Sequence, residues 1–257
     1  MPTDLLDTAL RGDRRALARA ITWVEQRRRS TGPDGADGPG IGALLGQRVV
    51  RRRSGPGAPQ VVGITGPPGA GKSTLVDGVI TAARARGERV AVVAVDPSSP
   101  FSGGAILGDR IRMERHTGDD GVFIRSLSSR GHLGGLSAST AEVVDLFDAA
   151  GFDRIVVETV GVGQSELGVM EVADTVVVVL TPESGDAVQA MKAGLVEIAD
   201  VFVVNKADRP GADHLARELE RAVELAGGGW IPPVRKVTAI DGTGVDRVVD
   251  DVARHLG

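Results

Sequence analysis

The residues at positions 66–73, GPPGAGKS, decide how this chain folds, because they match the pattern G-x-x-x-x-G-K-[ST]. The apolar run Val61–Ile64 precedes the pattern and predicts a strand, and residues typical of a helix follow it. At such a turn, glycines let successive backbone N–H groups converge on phosphate oxygens, and the helix N-terminus adds its positive end. The pattern therefore predicts a phosphate-binding loop. A glycine-rich turn without a ligand is the alternative.

Two side chains of this loop have separate predicted roles. We expect Lys72 to reach the β and γ phosphates of a nucleotide and the Ser73 hydroxyl to bind magnesium. Around them, the residues predicted to contact the nucleotide in this part of the chain are Gly66, Pro67, Gly69, Ala70, Gly71, Lys72, Ser73 and Thr74.

Composition limits the classes to which the protein can belong. The chain has 257 residues, 42% of them apolar, which suits one large domain or a domain with an appendage. Its net charge is −4 with both signs mixed, so we expect no nucleic-acid partner and no membrane-attracted patch. It has no cysteine and four scattered histidines, which argues against a transition-metal site. The longest apolar stretch, Thr175–Leu180, is too short to span a bilayer, and we expect a cytoplasmic protein.

Lysine is scarce in this chain, since 26 of the 30 basic residues are arginines. Two of the four lysines, Lys72 and Lys206, lie in motifs where a compact ammonium group serves better than a planar guanidinium. Lys192 and Lys236 become candidates by the same argument. A few lysines also remain in any arginine-rich chain, and for Lys236 that explanation is at least as strong.

Strand-like and helix-like segments alternate after position 60, which predicts an α/β domain with a mostly parallel sheet. We divide the chain into an N-terminal helical segment with a Gly/Pro-rich bridge, residues 1–59, and a P-loop nucleotide-hydrolase domain of three layers, residues 60–257. The predicted strands are Val61–Ile64, Val90–Val95, Val122–Ile124, Arg154–Glu158, Thr175–Leu180, Val201–Val204 and Val234–Val237. The predicted helices of the domain are Lys72–Arg86, Ser139–Ala150, Gly185–Ala193, Ala212–Leu225 and Val245–Leu256.

Polar side chains follow three of the predicted strands. Asp96, Glu158 and Asn205 each come at the end of a strand, as the phosphate loop does. In an open α/β sheet, ligands bind beyond the carboxyl ends of the strands. We therefore expect these side chains to meet around one nucleotide.

The sequence Asn205-Lys206-Ala207-Asp208 predicts a site that reads guanine. The Asp208 carboxylate would accept two hydrogen bonds from N1–H and the exocyclic amine, donors that adenine does not offer there. Each is worth about 1.5–3 kcal/mol, so together they favour guanine by roughly two to four powers of ten. The Lys206 stem would lie along the base, and Asn205 would tie this loop to the phosphate loop. A chance match of four residues is the alternative.

Acidic residues in three loops are candidates for magnesium binding and catalysis. Glu158 is followed by a glycine-rich run in which the N–H of Gly161 is expected to meet the γ phosphate. Asp96 and Asp109 bracket a Pro- and Gly-rich loop that reads as a first switch, with Asp109 completing the magnesium shell. Glu158 contacts either magnesium or the attacking water, and Asp96 either binds the metal through water or acts as a base.

Two further loops have weaker predicted roles. Arg125–Ser137 is a basic loop whose histidine, His132, we take as an ordinary loop residue. Lys192 lies one to two helical turns beyond Asp186, where it would belong to a third nucleotide-sensitive segment. A plain amphipathic helix with an exposed lysine explains the same residues nearly as well.

With these motifs in hand, the chain is similar to the ArgK/MeaB family, the methylmalonyl-CoA-mutase-associated GTPases of the SIMIBI class of P-loop proteins. The resemblance covers most of the chain. It is carried by residues 12–22, the phosphate loop, and the stretches at 96–100, 108–113, 130–136, 158–166 and 205–208.

This resemblance implies a GTPase chaperone that docks on a cobalamin-dependent acyl-CoA mutase, gates its cofactor loading and protects it from inactivation. It implies that GTP or GDP and Mg²⁺ are the ligands, and that Asp96, Asp109 and Glu158 serve magnesium and hydrolysis. Lys192 would belong to a third switch, and Thr238-Ala239 would form the last guanine-contacting loop. The family usually has a further helical extension used in dimerisation, whereas this chain ends at Gly257. A homodimer, a different pairing and a monomer therefore all stay open.

We accordingly expect a Mg-dependent GTPase in which four side chains, Lys72, Asp96, Glu158 and Lys192, are catalytic and in which Ser73, Asp96, Asp109 and Glu158 hold the metal. Turnover without a partner should be slow, since the sequence reveals no arginine finger. The alternatives are a metal-delivery GTPase of the same class, a P-loop kinase, and a structural module that binds nucleotide without hydrolysing it.

Overall fold

The computed structural model describes residues 1, 3–31, 40–46, 58–96, 114–116, 118–128, 133–159, 171–184, 195–226 and 229–255. The helices of these residues are α1 (Thr3–Leu10), α2 (Arg14–Thr31), α3 (Ile41–Leu45), α4 (Lys72–Ala85), α5 (Leu133–Ala149), α6 (Leu195–Ile198), α7 (Ala212–Ala226) and α8 (Val245–His255). The strands are β1 (Gln60–Thr65), β2 (Val90–Asp96), β3 (Val122–Ser128), β4 (Arg154–Thr159), β5 (Thr175–Leu180), β6 (Val201–Asn205) and β7 (Val234–Val237). Short 3-10 turns occupy Glu114–His116 and Pro182–Ser184.

The seven strands form one sheet in the order β3-β2-β4-β1-β5-β6-β7, and all of its described pairings are parallel. The first strand, β1, lies at the centre, between β4 and β5. In that register Ile64 of β1 faces Glu158 of β4 and Val177 of β5. The loop that leaves β1 therefore emerges between the ends of two neighbouring strands. The predicted α/β fold with a mostly parallel sheet is confirmed.

Both faces of the sheet are covered by helices. Strands that are buried on both sides need apolar residues at nearly every position, which explains the nearly continuous runs of valine. Neighbouring residues of a strand point to opposite faces, so Val61 and Val62 of β1 belong to different apolar clusters. One cluster includes residues of α4 and α8, such as Leu75 and Val248. The other includes residues of α5 and α7, such as Phe147 and Leu219. Helix, sheet and helix thus make the three layers expected.

The N-terminal helices pack on the second of these faces. A turn at residues 11–13 separates α1 from α2, and the Asp13 carboxylate accepts a hydrogen bond from the Ala16 N–H at 2.7 Å, which caps α2. Ile21 of α2 is fully buried in the same cluster as the sheet residues. A salt bridge of 3.3 Å joins Arg27 of α2 to Glu142 of α5. The division at residue 59 stays a prediction, while the buried apolar cluster runs across it.

Two boundaries differ from the sequence prediction. The segment from Arg125 to Ser137 was expected to be a loop, yet β3 continues to Ser128 and α5 begins at Leu133. The predicted helix Gly185–Ala193 lies outside the described residues, and α6 follows it at Leu195–Ile198. Within the described residues, every helix is too short or too polar to cross a bilayer.

Candidate functional site

The phosphate loop joins the end of β1 to the start of α4. Three of its glycines have left-handed backbone angles, with φ of 143° at Gly66, 77° at Gly69 and 86° at Gly71. A side chain at Gly66 would overlap the backbone carbonyl of Val179, and one at Gly71 would overlap the amide of Asn205. These two positions therefore need glycine both for their conformation and for the close approach of neighbouring strands. Pro67, Gly69, Ala70, Ser73 and Thr74 lie in or beside the same turn.

Lys72, the first residue of α4, is buried and bends back over this loop. Its Nζ donates hydrogen bonds to the backbone oxygens of Gly66 at 2.8 Å and Pro67 at 3.1 Å. The ammonium group is thereby held within the turn that the sequence predicts to surround phosphate. A positive charge at this place complements the charge of a phosphate group bound to the loop N–H groups.

Ser73 and Glu158 meet beneath the loop. The Ser73 hydroxyl donates to Oε1 of Glu158 at 2.6 Å, and the residues are only 7% and 2% exposed. Glu158 reaches this place because β4 is hydrogen-bonded directly to β1. The next pair of residues along the two strands, Thr159 and Thr65, are joined through their hydroxyl groups at 3.0 Å. A hydroxyl and a carboxylate are the oxygen ligands that Mg²⁺ prefers, so the pair fits the predicted metal site.

The other predicted metal and catalytic residues are only partly described. Asp96 is the last residue of β2, at the same end of the sheet as Glu158, and pairs in register with Ser128 of β3. Its side chain lies outside the described part of the structure. Asp109, Gly161 and Lys192 fall outside the described residues altogether, so their roles stay predictions.

Asn205 connects the phosphate loop with the loop that follows β7. This side chain is buried at 3% exposure, and Nδ2 donates to the backbone oxygen of Ala70 at 2.8 Å. Its Oδ1 accepts a hydrogen bond from the Ala239 N–H at 3.1 Å. The tie to the phosphate loop that the sequence predicted is present. One amide therefore sets the spacing between two loops that come from strands on opposite sides of β5.

The residues after Asn205 form a tight turn. Lys206 has a φ of 55°, a left-handed conformation that turns the chain back, and the Ala207 N–H donates to Val237 at 3.0 Å. Nζ of Lys206 lies 2.8 Å from Oε2 of Glu183, in the turn after β5. Asp208 is exposed at the tip of the turn. Its carboxylate is thus accessible to a ligand, as a base-reading group must be.

The loop from Thr238 to Gly244 is closed by its own hydrogen bonds. Thr238 and Thr243 form an antiparallel bridge with an N–O distance of 3.0 Å. The Asp241 carboxylate accepts from the Thr243 N–H at 2.9 Å, and this bond lowers the pKa of Asp241. The loop holds Ala239 against Asn205, next to the turn of Asp208. Residues from three strand ends therefore surround the mouth of the candidate base site.

Comparison with known proteins identifies the family. The model of the family "Methylmalonyl Co-A mutase-associated GTPase MeaB" matches residues 17–257. The chain belongs to the MeaB family. A Pyrococcus horikoshii protein whose name assigns it to the GTPases is 48% identical, over 98% of this chain and 77% of its own length. The GTPase ArgK of Escherichia coli is 39% identical, over 92% of this chain and 70% of its own.

A solved structure supports the same assignment. The crystal structure of an LAO/AO transport system kinase superimposes with a TM-score of 0.70 and 30% identity, over 98% of this chain and 75% of that one. The nickel complex of HypB from Helicobacter pylori has a TM-score of 0.57 at 17% identity and shares only the fold. The MeaB-family proteins are GTPases, and this chain is accordingly a GTP-hydrolysing enzyme.

Two contacts of this MeaB-family site were not foreseen from the sequence. Glu183 pairs with Lys206 at 2.8 Å and also forms an ion pair with Arg209. The sequence offered only a slight signal for Glu183, which is an acidic residue three positions after the buried strand β5, at the end of the sheet where ligands bind. The second contact joins α4 to the turn before β3.

Asp77 is the centre of that second contact. It lies on α4 one turn after Ser73, and its Oδ1 accepts from Nε of Arg115 at 2.6 Å. Nε2 of His116 lies 2.8 Å from the same oxygen. Burial, followed by the charge of Arg115, lowers the pKa of His116. The negative charge of Asp119 raises the pKa of His116, but burial and Arg115 outweigh this attraction, so the imidazole is neutral at pH 7.

Proposed function

We propose that the protein hydrolyses GTP with Mg²⁺ and acts as a GTPase chaperone of a cobalamin-dependent acyl-CoA mutase. In this role it would gate the loading of the mutase cofactor and protect the mutase from inactivation. The mutase part rests on the family description and on a mouse relative, the mitochondrial methylmalonic aciduria type A homolog, 37% identical over 96% of this chain and 61% of its own.

The observation that carries the nucleotide part is the double hydrogen bond of Asn205. It links Ala70 of the phosphate loop to Ala239, beside the exposed carboxylate of Asp208. A guanine nucleotide requires both a phosphate site and a base site, held at a constant separation. The buried amide supplies that constant separation, and this supports guanine recognition by Asp208, Lys206, Thr238 and Ala239.

In the proposed reaction the chain orients the triphosphate and stabilises the charge on its phosphate oxygens. Backbone N–H groups of the loop and the Lys72 ammonium group would contact the β and γ phosphates, with Gly161 contributing an N–H. Lys72 has only to exchange the carbonyls of Gly66 and Pro67 for phosphate oxygens, since its Nζ already lies in the turn. Because charge spreads over the phosphate oxygens in the transition state, fixed positive groups here lower the barrier.

Magnesium would be held by Ser73, Asp96, Asp109 and Glu158, and would neutralise charge on the phosphate oxygens. The hydrogen bond between Ser73 and Glu158 fits this arrangement, because the hydroxyl proton points to the carboxylate and leaves the oxygen lone pairs available. Glu158 or Asp96 would hold the attacking water. The assignment of Lys192 to a nucleotide-sensitive segment belongs to this proposal as well.

Substitution of Lys72 tests the hydrolytic part. In Lys72→Ala we expect the rate of GTP hydrolysis to fall by at least about 100-fold, because the ammonium group can no longer stabilise charge on the phosphates. The matched control is Arg86→Ala, an exposed cation just beyond the other end of α4 that pairs with Asp250 at 2.8 Å. Phosphate release is measured for both. Equal rates for the two variants would contradict the proposal.

The guanine and mutase parts need separate assays. Phosphate release from GTP and from ATP is compared at equal concentration, and equal use of both would contradict guanine recognition. Cobalamin loading of a mutase from the same organism is then followed by absorbance, with GTP and with GDP. Loading that is independent of the GTPase and of the nucleotide would refute the chaperone role.

A kinase is the second candidate, because the superimposable solved structure carries that word in its name. A kinase transfers the γ phosphate to an acceptor, so radiolabel from GTP would appear on that acceptor and not as free phosphate. A metal-delivery GTPase has less support. Among the described residues, no three histidine, cysteine, aspartate or glutamate side chains are grouped so as to hold a metal ion for delivery, and the likeness to HypB concerns the fold alone.

A further inference from the structure

The turn that carries Asp208 has a cation at each end, Lys206 and Arg209, and one carboxylate contacts both of them. Oε2 of Glu183 lies 2.8 Å from Nζ of Lys206, and Oε1 of the same side chain pairs with Nη1 of Arg209. Asp208 lies between the two cations in the sequence. The two oxygens of Glu183 therefore hold the two ends of the turn that carries the candidate base-reading group.

Glu183 reaches this turn because β5 and β6 are neighbours in the sheet. The two strands are parallel and Leu180 faces Val204, so the turns that follow them emerge side by side. Glu183 lies in the 3-10 turn Pro182–Ser184 after β5, and Lys206 follows β6 directly. Since β5 lies between β6 and β1, the Lys206 side chain runs from the end of β6 towards the phosphate-loop side of the site.

The backbone of the same turn is held from the opposite side, by β7. The Ala207 N–H donates to the oxygen of Val237 at 3.0 Å, and the Arg209 N–H donates to the oxygen of Lys206 at 3.0 Å. These hydrogen bonds fix the main chain of the turn. The ion pairs with Glu183 fix what the backbone leaves free, namely the direction of the two cationic side chains on either side of Asp208.

The direction of these cations matters for Asp208, because opposite charges at short range attract each other. Lys206 and Arg209 are both close to Asp208 along the chain, and either of them could occupy the carboxylate oxygens that guanine needs. In the structure both cations are paired with Glu183 instead, and Asp208 is exposed. The pairing also leaves the methylene stem of Lys206, and not its ammonium group, as the part that would lie along a base.

We propose that Glu183 is a positioning residue of the base site, which draws Lys206 and Arg209 away from Asp208 and so keeps the Asp208 carboxylate open to guanine. Glu183 would act through the turn and would not touch the nucleotide. The inference rests on the proposed guanine recognition, and it adds to the specificity a residue that lies outside the Asn205–Asp208 sequence.

Inosine diphosphate distinguishes this role from a general effect on the fold. It lacks the exocyclic amine of GDP, so the ratio of the GDP and IDP affinities measures one of the two hydrogen bonds that Asp208 would accept. In the parent protein we expect GDP to bind about 10- to 100-fold more tightly than IDP. Both affinities are measured on the full chain by displacement of a fluorescent GDP analogue.

The variant Glu183→Gln removes the charge and keeps the shape of the side chain. We expect the ratio of GDP to IDP affinity to fall at least about threefold, because the released cations then pair with Asp208. The thermal midpoint should stay within about 3 °C of the parent, because ion pairs between exposed groups contribute little to stability. A purely structural defect, or a changed field at the phosphates, would alter GDP and IDP binding equally and leave the ratio unchanged.

The matched control is Glu218→Gln. Glu218 lies on α7, 3.4 Å from His214, and its side chain is 40% exposed, close to the 43% of Glu183. This variant should keep the affinity ratio of the parent. A fall in the control as large as that in Glu183→Gln would overturn the proposal, since any exposed glutamate would then have the same effect.

Asp208→Asn separates the failure of this inference from the failure of the guanine proposal. If the parent binds GDP and IDP equally, or if Asp208→Asn keeps the ratio of the parent, Asp208 does not read guanine and both proposals fail. If Asp208→Asn lowers the ratio and Glu183→Gln does not, guanine recognition by Asp208 stands and the role of Glu183 is refuted.

Discussion

In the proposed guanine site, the exposed carboxylate of Asp208 would determine which base is bound. The turn around Lys206 leaves Asp208 accessible, and the Ala207 N–H anchors the turn to Val237. This backbone hydrogen bond holds the turn in place and does not involve the carboxylate oxygens of Asp208. Under the proposed function, recognition of guanine would depend on hydrogen bonds that this one residue accepts.

The Asp208→Asn variant tests that dependence. We expect it to weaken GDP binding by about 10- to 100-fold, because an amide nitrogen cannot accept the bond from one of the two guanine donors. The control is Asp213→Asn, an exposed aspartate of α7 that pairs with Lys236 at 2.5 Å. Affinity is measured by displacement of a fluorescent GDP analogue. If both variants bind GDP like the parent protein, Asp208 does not read the base.

Much of the candidate site could be predicted at this scale, because its motifs are local. Lys72, Ser73, Glu158 and Asn205 all lie at strand or helix ends that the hydrophobic pattern located within a few residues. Other pairings near the site could not be predicted so readily. Asp77 and Arg115 are 38 positions apart, and their pairing depends on how α4 lies against the turn before β3.

At the scale of elements, Asn205 makes two loops behave as one unit. Its loss would leave the Ala70 oxygen and the Ala239 N–H buried without their present partner. In Asn205→Ala we expect a loss of about 2–4 kcal/mol in unfolding free energy, together with weaker GDP binding. Urea unfolding and the fluorescent GDP assay measure the two effects.

Thr175→Val provides the control for this variant. It removes the 2.9 Å contact between the Thr175 hydroxyl and Nδ1 of His255, at the amino end of β5. Stability should fall by about 1 kcal/mol, while GDP affinity stays that of the parent. If Asn205→Ala changes stability but leaves GDP affinity like that of this control, the loop connection has no role in binding.

The contact of α4 with the Glu114–His116 turn should make stability depend on pH. The pKa of His116 lies below its ordinary value of about 6.5, so just below pH 6.5 the unfolded chain binds more protons than the folded one. The contribution of neutral His116 is therefore complete above pH 6.5 and is lost as the pH falls. We expect the stability difference between the parent and His116→Gln to be smaller at pH 5.5 than at pH 7.5.

Urea unfolding at pH 5.5 and pH 7.5 measures the direction of this pH dependence. The control is His214→Gln, whose side chain is 72% exposed and lies 3.4 Å from Glu218 on the surface of α7. This variant controls for the replacement of an exposed histidine by glutamine. A difference between the parent and His116→Gln that is equal at both pH values would contradict the burial of a neutral imidazole.

Element boundaries show where sequence reasoning fails. Helix α5 begins at Leu133, although Gly134 and Gly135 within it predict a loop. Intrinsic propensity is a weak guide when a helix is stabilised by tertiary contacts, and α5 packs on the sheet through buried residues such as Phe147. The strands inside the sheet were easier to predict, because their valine-rich runs favour a strand.

At the scale of the whole molecule, the N-terminal helices and the sheet share one buried cluster. Ile21 is fully buried there, so Ile21→Ala should cost about 2–5 kcal/mol of unfolding free energy. Leu44→Ala is the control, since Leu44 is 37% exposed, and should cost less than about 1 kcal/mol. Both are measured by thermal or urea unfolding.

Fluorescence of the two tryptophans tests whether the N-terminal helices and the sheet unfold together. Trp23 lies in α2, and Trp230 donates to the Asp200 oxygen at 2.9 Å near the start of β6. In Trp23→Phe and in Trp230→Phe, fluorescence reports on the one tryptophan that remains, and circular dichroism reports on the unfolding of the whole variant. If the chain unfolds as a single cooperative unit, the fluorescence midpoint equals the circular dichroism midpoint in each variant. If Trp23 fluorescence changes well before the circular dichroism signal, residues 1–59 form the separate unit that the sequence predicted.

The contact between Gly66 and β5 bears on how tolerance to mutation should be interpreted. Any side chain at codon 66 collides with the main chain of Val179, whatever happens at the phosphate groups. A saturation library screened only for soluble expression would therefore retain glycine at 66 as strictly as one screened for turnover. Intolerance at this codon measures how closely two strands pass, and says nothing by itself about chemistry.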